Sequence, residues 1–152
     1  MLAEFRTLGF ETMAKPRPAA MCEVSSTSGG YFNNLGKLRS LGLIDYRNSE
    51  VYLTDAGISA APSVQAPISE EEIIQRCKSV LSSSQAAILD ELVRIHPRSI
   101  AKDELAERLG VSPTSGGYFN NLGFMRTAGM IDYPAPGTVK LEDWVVLQEV
   151  AA

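Results

Sequence analysis

A block of ten residues that occurs twice constrains this chain more than any other feature of its sequence. Residues 27–36 read TSGGYFNNLG, and residues 114–123 read the same ten letters. With the same offset of 87 positions, residues 24–46 align without a gap to residues 111–133, and 17 of the 23 aligned pairs are identical. Chance does not produce such identity, so the chain consists of two copies of one unit, named here copy one and copy two.

Copy two predicts two helices at its start. Ser82 and Gln85 have the spacing of a capping box, and apolar residues recur behind them at helical spacing until the helix ends before Pro97. A second, short helix is predicted over residues 102–109, with acidic residues in its first turn and Gly110 as its stop.

A third helix and a hairpin complete the unit. Ser112 as the N-cap and Pro113 as the first helical residue predict where the third helix begins, and Gly129 predicts where it ends. Residues 130–133 and 138–141 have the pattern of two strands joined by a tight turn. The unit therefore has the order helix, helix, turn, helix, hairpin.

This order, and the end of the third helix in copy one, resemble the winged helix-turn-helix family. In that family two inward leucines, here Leu35 and Leu38, precede a helix-ending glycine, here Gly42, and a Leu-Ile pair that enters the wing. The run Ser-Pro-x-Ser-Gly-Gly in copy two is more loosely similar to winged-helix modules at the C-terminal ends of bacterial ATPases of the DNA-translocase kind. The resemblance implies a mainly α fold with small β-wings, in which two tandem domains pack as a pseudo-dimer.

The chain divides into four predicted segments. They are winged-helix domain 1 with a shortened first helix (residues 1–58), a linker rich in small residues and proline (59–69), a connecting helix (70–82) and winged-helix domain 2 (83–152). In copy one, Pro16 and Pro18 allow only a short second helix that begins near Arg17. The connecting helix, capped by Ser69, either clamps the two copies together, covers an edge, or simply packs on the core.

The third helix is the candidate element for reading DNA, because in helix-turn-helix proteins its outward N-terminal residues meet base edges in the major groove. A period of 3.6 residues predicts that Phe32, Leu35 and Gly36 face the core. The outward residues suited to base edges, with their equivalents in copy two, are Gly30, Asn33, Asn34, Lys37, Gly117, Asn120 and Asn121. The residues suited to phosphates are Ser28, Arg39, Arg47 and Arg126, although Arg39 and Arg126 lie nearer the buried side and have a structural alternative.

The paired glycines at the start of this helix also require a reason. Gly29 and Gly30 each lower helix stability by roughly 1 kcal/mol relative to alanine. Close approach of the backbone to another group is the usual compensation, and that group is either a phosphate or the second helix packed behind. For the asparagines, the alternative to base reading is a solvated or intradomain hydrogen-bonding role.

Copy two differs from copy one in charge. Residues 1–66 hold six basic and six acidic side chains, whereas residues 67–152 hold eight and twelve, so the net charge of −4 lies in the second half. Phe124 replaces Lys37, and an outward phenylalanine suits a protein interface unless it folds under the wing as part of the core. If one copy binds DNA, we expect it to be copy one.

No catalytic or cofactor-binding pattern is present. The single histidine, His96, precedes a proline at a helix end, and two distant cysteines cannot build the usual zinc site. There is no phosphate-binding glycine loop, and no apolar run approaches the roughly 20 residues that span a membrane. We therefore expect a cytoplasmic, non-catalytic protein without cofactor or metal.

Two hypotheses about function remain from the sequence. The first is a sequence-specific DNA-binding protein of the transcription-regulator type, with weak non-specific affinity for double-stranded DNA because the chain is acidic. The second is a protein-interaction module that docks on an ATPase, a polymerase or another copy of itself, with Phe124 of copy two at the interface.

Overall fold

The computed structural model describes residues 1–147, and both copies have the same order of elements up to the end of the hairpin. The elements of copy one are α1 (Leu2–Thr7), β1 (Met13–Ala14), α2 (Arg17–Met21), α3 (Gly29–Ser40), β2 (Ile44–Arg47), β3 (Glu50–Leu53) and α4 (Asp55–Ala60). The connecting helix is α5 (Glu70–Ser79), and copy two comprises α6 (Ser83–Ile95), β4 (Ile100–Ala101), α7 (Lys102–Arg108), α8 (Gly116–Thr127), β5 (Ile131–Asp132) and β6 (Thr138–Leu141). A mainly α fold with small β elements is therefore confirmed.

Each copy forms one small antiparallel sheet of three strands, with orders β1-β3-β2 and β4-β6-β5. The sequence predicts the hairpin strands of copy two but neither of the two-residue strands β1 and β4. In these, Met13 pairs with Val51 and Ile100 pairs with Val139. Strands this short have no periodicity to recognise. They pair the segment before the second helix with the hairpin, and this pairing fixes the position of the second helix relative to the sheet.

Capping residues set the starts of the connecting helix and of α6 as predicted. Both hydrogen bonds of the capping box between Ser82 and Gln85 are present at α6. At α5 the hydroxyl of Ser69 accepts from the backbone N–H of Glu72 at 3.2 Å. Each cap satisfies backbone groups that have no partner within the helix, which is why these short sequence signals locate the helix ends.

The third helix of copy two begins later than predicted. Its N-cap is Ser115, whose Oγ accepts from the N–H of Tyr118 at 3.1 Å. Ser112 instead closes a preceding turn, where its carbonyl accepts from the N–H of Ser115 at 3.1 Å. Both serines offer a capping oxygen, and the hydrogen bond from the Tyr118 hydroxyl to the carbonyl of Lys102, at 2.7 Å, favours the later start.

The buried stripe of α3 is shifted by one residue from the predicted stripe. Tyr31 and Leu35 are buried, whereas Phe32 is 45% exposed and Gly36 is also exposed. The Tyr31 hydroxyl donates to the carbonyl of Lys15 at 2.5 Å, and this contact sets the rotation of α3 about its axis. The prediction for Leu35 is confirmed, and the predictions that Phe32 and Gly36 face the core are wrong.

Both third helices are therefore held by a tyrosine that donates to a backbone carbonyl next to the second helix. Burial raises the pKa of Tyr118 to about 12 and raises the pKa of Tyr31 as well. The folded state thus favours the neutral hydroxyl that makes the hydrogen bond.

One hydrophobic core runs through both copies. The ring of Phe5 in α1 lies edge-on to Trp144, which follows β6, with 6.0 Å between the ring centroids. Close by, Arg17 at the start of α2 forms an ion pair with Glu142 at 2.8 Å. The backbone of Gly129 is so near Arg17 that a Cβ there would stand 3.0 Å from Arg17 Cγ. The start of copy one therefore covers the end of the third helix of copy two.

The connecting helix contacts both copies, which favours the clamp among the three predicted alternatives. Arg76 donates to the carbonyl of Met21 in α2 at 3.2 Å and lies 3.6 Å from Glu4 in α1, so it contacts both of these helices of copy one. Lys78 forms an ion pair with Asp90 of α6 at 2.6 Å.

Candidate nucleic-acid interface

The outward face of α3 carries polar side chains that bond to nothing else in the described part of the chain. Asn33, Asn34 and Lys37 are exposed, and none of their side chains forms a hydrogen bond or ion pair with any of residues 1–147. Ser28 is the N-cap residue of α3, yet its hydroxyl makes no capping bond, unlike its equivalent Ser115. Donors and acceptors for an external partner therefore remain free along this face.

The glycines of this face are not explained by packing within the protein. A Cβ added at Gly29 or Gly36 would meet nothing within 4 Å, and one at Gly30 would reach only the Ser28 hydroxyl at 3.5 Å, an ordinary contact. The second helix does not pack behind them, so that alternative from the sequence is wrong. Gly117 in copy two is equally open. Within residues 1–147, no packing contact compensates the loss of helix stability at these glycines.

Arg39 lies at the C-terminal end of α3 and is held by its own hairpin. Its Nε donates to Asp45 at 2.9 Å, and its guanidinium lies 4.7 Å from the ring centroid of Tyr46. Lys15 approaches the same ring at 3.8 Å, so the tyrosine lies between two cations. The backbone N–H of Tyr46 and the Arg39 side chain hydrogen-bond to Asp45, and these contacts lower the pKa of its carboxyl group.

The same arrangement occurs in copy two. Arg126 lies 3.8 Å from Asp132 and 4.5 Å from the ring centroid of Tyr133, and Lys102 approaches that ring at 3.4 Å. The contacts of Arg39 and Arg126 therefore support the structural alternative, in which each arginine holds the third helix against its own hairpin. Both guanidinium groups remain half exposed, so part of each charge still faces solvent.

Arg47 lies at the tip of the hairpin of copy one. It is exposed, and its guanidinium lies 5.2 Å from the ring centroid of Tyr52 on the adjacent strand. No carboxylate among the described residues pairs with it. The wing of copy one thus carries a cation that is available to a phosphate.

Two predicted residues of copy two are engaged within the domain. Asn121 is half-buried, and its Oδ1 accepts from the side-chain amide of Gln85 in α6 at 3.3 Å. Phe124 is half-buried and packs against the core, which favours the alternative that it belongs to the core over an outward position at an interface. The longer helix α6 lies against α8 and supplies the partner of Asn121, whereas α1 begins at the position equivalent to Leu89, well inside α6. Asn120 is exposed.

The second helices give the two faces different electrostatic surroundings. The described residues of α2 (Arg17–Met21) include no acidic side chain. In α7 the exposed residues Asp103, Glu104 and Glu107 occupy the corresponding helix, and Glu104 pairs with Arg108 at 2.6 Å. Copy two therefore presents negative charge beside its third helix, which opposes the approach of phosphates.

No group of three or more His, Cys, Asp or Glu within residues 1–147 is placed to hold a metal ion.

The side chain of His96 is buried and lies 3.1 Å from the carboxylate of Asp143, and that hydrogen bond is the largest cause of the lowered pKa of Asp143. None of the described helices has both the length and the apolar character needed to cross a membrane.

Comparisons with protein-family models, with curated proteins and with solved structures gave no match for this chain. The residues and geometry of the site are therefore what supports a function.

Proposed function

We propose that the chain binds double-stranded DNA without catalysis, as a transcription-regulator type of protein built from two winged helix-turn-helix domains, with α3 as its reading helix. The observation that carries the proposal is the outward face of α3. It combines unpartnered amide and amine groups at Asn33, Asn34 and Lys37 with glycines that packing does not require. Asparagine amides suit adenine, and a helix without side chains at intervening positions can approach the groove closely.

The charges around α3 support copy one as the DNA-binding copy. Lys37 and Arg47 lack acidic partners among the described residues, and α2 contributes no acidic side chain. These cations are few, so we expect modest affinity and a shallow dependence on salt. Each phosphate neutralised should contribute about −0.9 to the slope of log K against log salt concentration.

Copy two is less suited to binding DNA than copy one. Its third helix retains an exposed Asn120 and the open Gly117, but its neighbouring helix is acidic and Asn121 is bonded to Gln85. We therefore assign copy two mainly a structural role, with Asn120 as the exposed asparagine of its third helix.

The test is fluorescence anisotropy of the purified chain on a random-sequence duplex at low and moderate salt. The wild type should bind at low salt, and Lys37→Glu should lose that binding and the salt dependence with it. Arg98→Glu is the matched control, because Arg98 is an exposed cation in copy two, between α6 and β4 and outside both third helices. Absence of wild-type binding at low salt, or equal losses in the two variants, would contradict the proposal.

A second candidate function is docking of a protein partner, and one observation favours it. An open apolar pocket of about 530 Å³ lies between α1, the hairpin of copy one and the segment after α4. Leu38 lines it, and nearby Leu41 is 71% exposed. Since Phe124 packs against the core, the variant that tests docking is Leu41→Glu. A docking module should lose its partner on this change and be indifferent to Lys37→Glu.

A further inference from the structure

Phe32 is an exposed aromatic side chain on the proposed reading face. Phe32 is 45% exposed, and Phe119 at the equivalent place in copy two is 48% exposed. Along the helix, Phe32 and Asn33 lie on either side of a line through Gly29 and Gly36. Because the glycines place no side chain between them, the apolar ring and the amide can reach adjacent points of one surface.

The orientation of Phe32 is set within the protein. Its ring packs edge-on to Tyr31 with 5.3 Å between the centroids, and Tyr31 is fixed by its hydrogen bond to the carbonyl of Lys15. Phe119 packs on Tyr118 in a similar way, with the centroids 5.9 Å apart. The outer face of the ring is thus presented to solvent by a buried, hydrogen-bonded neighbour.

The major groove offers matching chemistry at one kind of base pair. Adenine presents N7 and its amino group, which pair with the amide of asparagine, and thymine presents a C5 methyl group, which accepts apolar contact from phenylalanine. A G·C pair has neither the adenine pattern nor the methyl group. Phe32 and Asn33 together therefore fit A·T base pairs.

We propose that α3 prefers A·T base pairs, with Asn33 bonding to adenine and Phe32 contacting the methyl group of thymine. This inference rests on the proposed function, DNA binding by copy one, and adds the class of base pair that the site selects. Phe119 and Asn120 provide matched positions in the copy that has acidic surroundings.

The experiment compares three duplexes of about two helical turns each. One contains only A·T pairs, the second is the same duplex with deoxyuridine in place of thymidine, and the third contains only G·C pairs. Anisotropy titrations at low salt should show A·T bound more tightly than G·C by roughly 5- to 150-fold, the range expected for one good bidentate contact. The deoxyuridine duplex, which lacks only the methyl groups, should fall between them.

The variants assign the two contacts. Phe32→Ala should bind the thymidine and deoxyuridine duplexes equally, and Asn33→Ala should lose most of the preference for A·T over G·C. Phe119→Ala and Asn120→Ala should keep the wild-type preferences. Equal wild-type affinity for all three duplexes would overturn this inference and leave the proposed function standing, whereas no binding to any duplex would overturn both. A thymidine preference that persists in Phe32→Ala would overturn the methyl contact.

Discussion

Copy one and copy two share a ten-residue block but bury the end of its helix very differently. In copy two, Ala128 at the end of α8 is only 3% exposed, whereas its equivalent Leu41 in copy one is 71% exposed. The cover in copy two comes from copy one, where Arg17 lies over Gly129. Gly42, the equivalent of Gly129, has open space around it. The packing is therefore head-to-tail, and at the end of the third helix only the copy-two residue, Ala128, is buried.

The difference extends to the reading face. The Asn121 side chain is hydrogen-bonded to Gln85 of the long helix α6, whereas the Asn34 side chain has no hydrogen-bond partner within the described residues. Identical sequence thus acquires a structural role in one copy and leaves free polar groups in the other. The lesson is that a duplicated motif indicates a shared fold, while its function depends on what the neighbouring elements cover.

The largest expected effect comes from cutting the contact between the copies. Phe5→Ala removes a fully buried ring that packs against Trp144, and we expect it to lower the free energy of unfolding by about 3–5 kcal/mol. Trp144 is the only tryptophan and lies in copy two. Its fluorescence during urea unfolding therefore reports whether the substitution in copy one destabilises copy two.

Phe32→Ala is the control for this prediction, because its ring is partly exposed and packs only edge-on to Tyr31, so the change should cost far less, about 1 kcal/mol. If the tryptophan transition of Phe5→Ala matched that of the wild type, the copies would fold independently and the shared core would have no energetic role.

A smaller, stabilising effect is expected where copy one departs from copy two. The hydroxyl of Ser26 is buried and has no hydrogen-bond partner among residues 1–147, and copy two has Pro113 at this position in the same turn. Ser26→Pro should raise the free energy of unfolding by about 0.4–1 kcal/mol, because proline restricts the unfolded chain at a site that accepts it.

The reverse change tests the equivalence of the two turns. Pro113→Ser should destabilise by a comparable amount in the same urea titration. A loss of stability in Ser26→Pro would mean that the backbone of the two turns differs.

A further effect is confined to alkaline pH. The pKa of Tyr118 rises from about 10 in the unfolded chain to about 12 in the folded one, and that of Tyr31 is raised in the same direction. The unfolded state therefore loses its proton first, so the stability that these hydroxyls contribute is complete below about pH 10 and declines as the pH rises toward 12.

Urea midpoints measured between neutral and alkaline pH should fall above about pH 10 in the wild type. The fall should be smaller in Tyr31→Phe and in Tyr118→Phe, which lack one ionisable hydroxyl each. An unchanged alkaline slope in both variants would show that other groups control it.

Local signals in the sequence predicted much of the fold. The capping box at Ser82, the helix-ending glycines and the hairpin of copy two each depend on neighbouring residues, so they could be recognised without the structure. The strand pairing of Met13 with Val51 and the ion pair of Arg17 with Glu142 join distant segments, and no local pattern marks them.

The candidate site was only partly predictable for the same reason. The exposed positions of Asn33, Asn34 and Lys37 agree with the helical period. Tyr31 and Phe32 are adjacent aromatics, and only the hydrogen bond of Tyr31 to the Lys15 carbonyl decides which of them is buried. The sequence could not show how the two copies differ, because their ten-residue blocks are identical. The anchoring tyrosine recurs as Tyr118 in copy two, so it does not distinguish them.

The central claim, that the open glycines of α3 serve close approach of DNA, is tested most directly by Gly36→Ala. Gly36 lies in the interior of α3, and a Cβ there would meet nothing within 4 Å, so alanine should stabilise the fold by up to about 1 kcal/mol. Gly123→Ala in copy two should stabilise similarly. The account predicts that Gly36→Ala gains stability in urea yet binds duplex DNA at least several-fold more weakly, while Gly123→Ala binds as the wild type does. Undiminished binding by Gly36→Ala would contradict it.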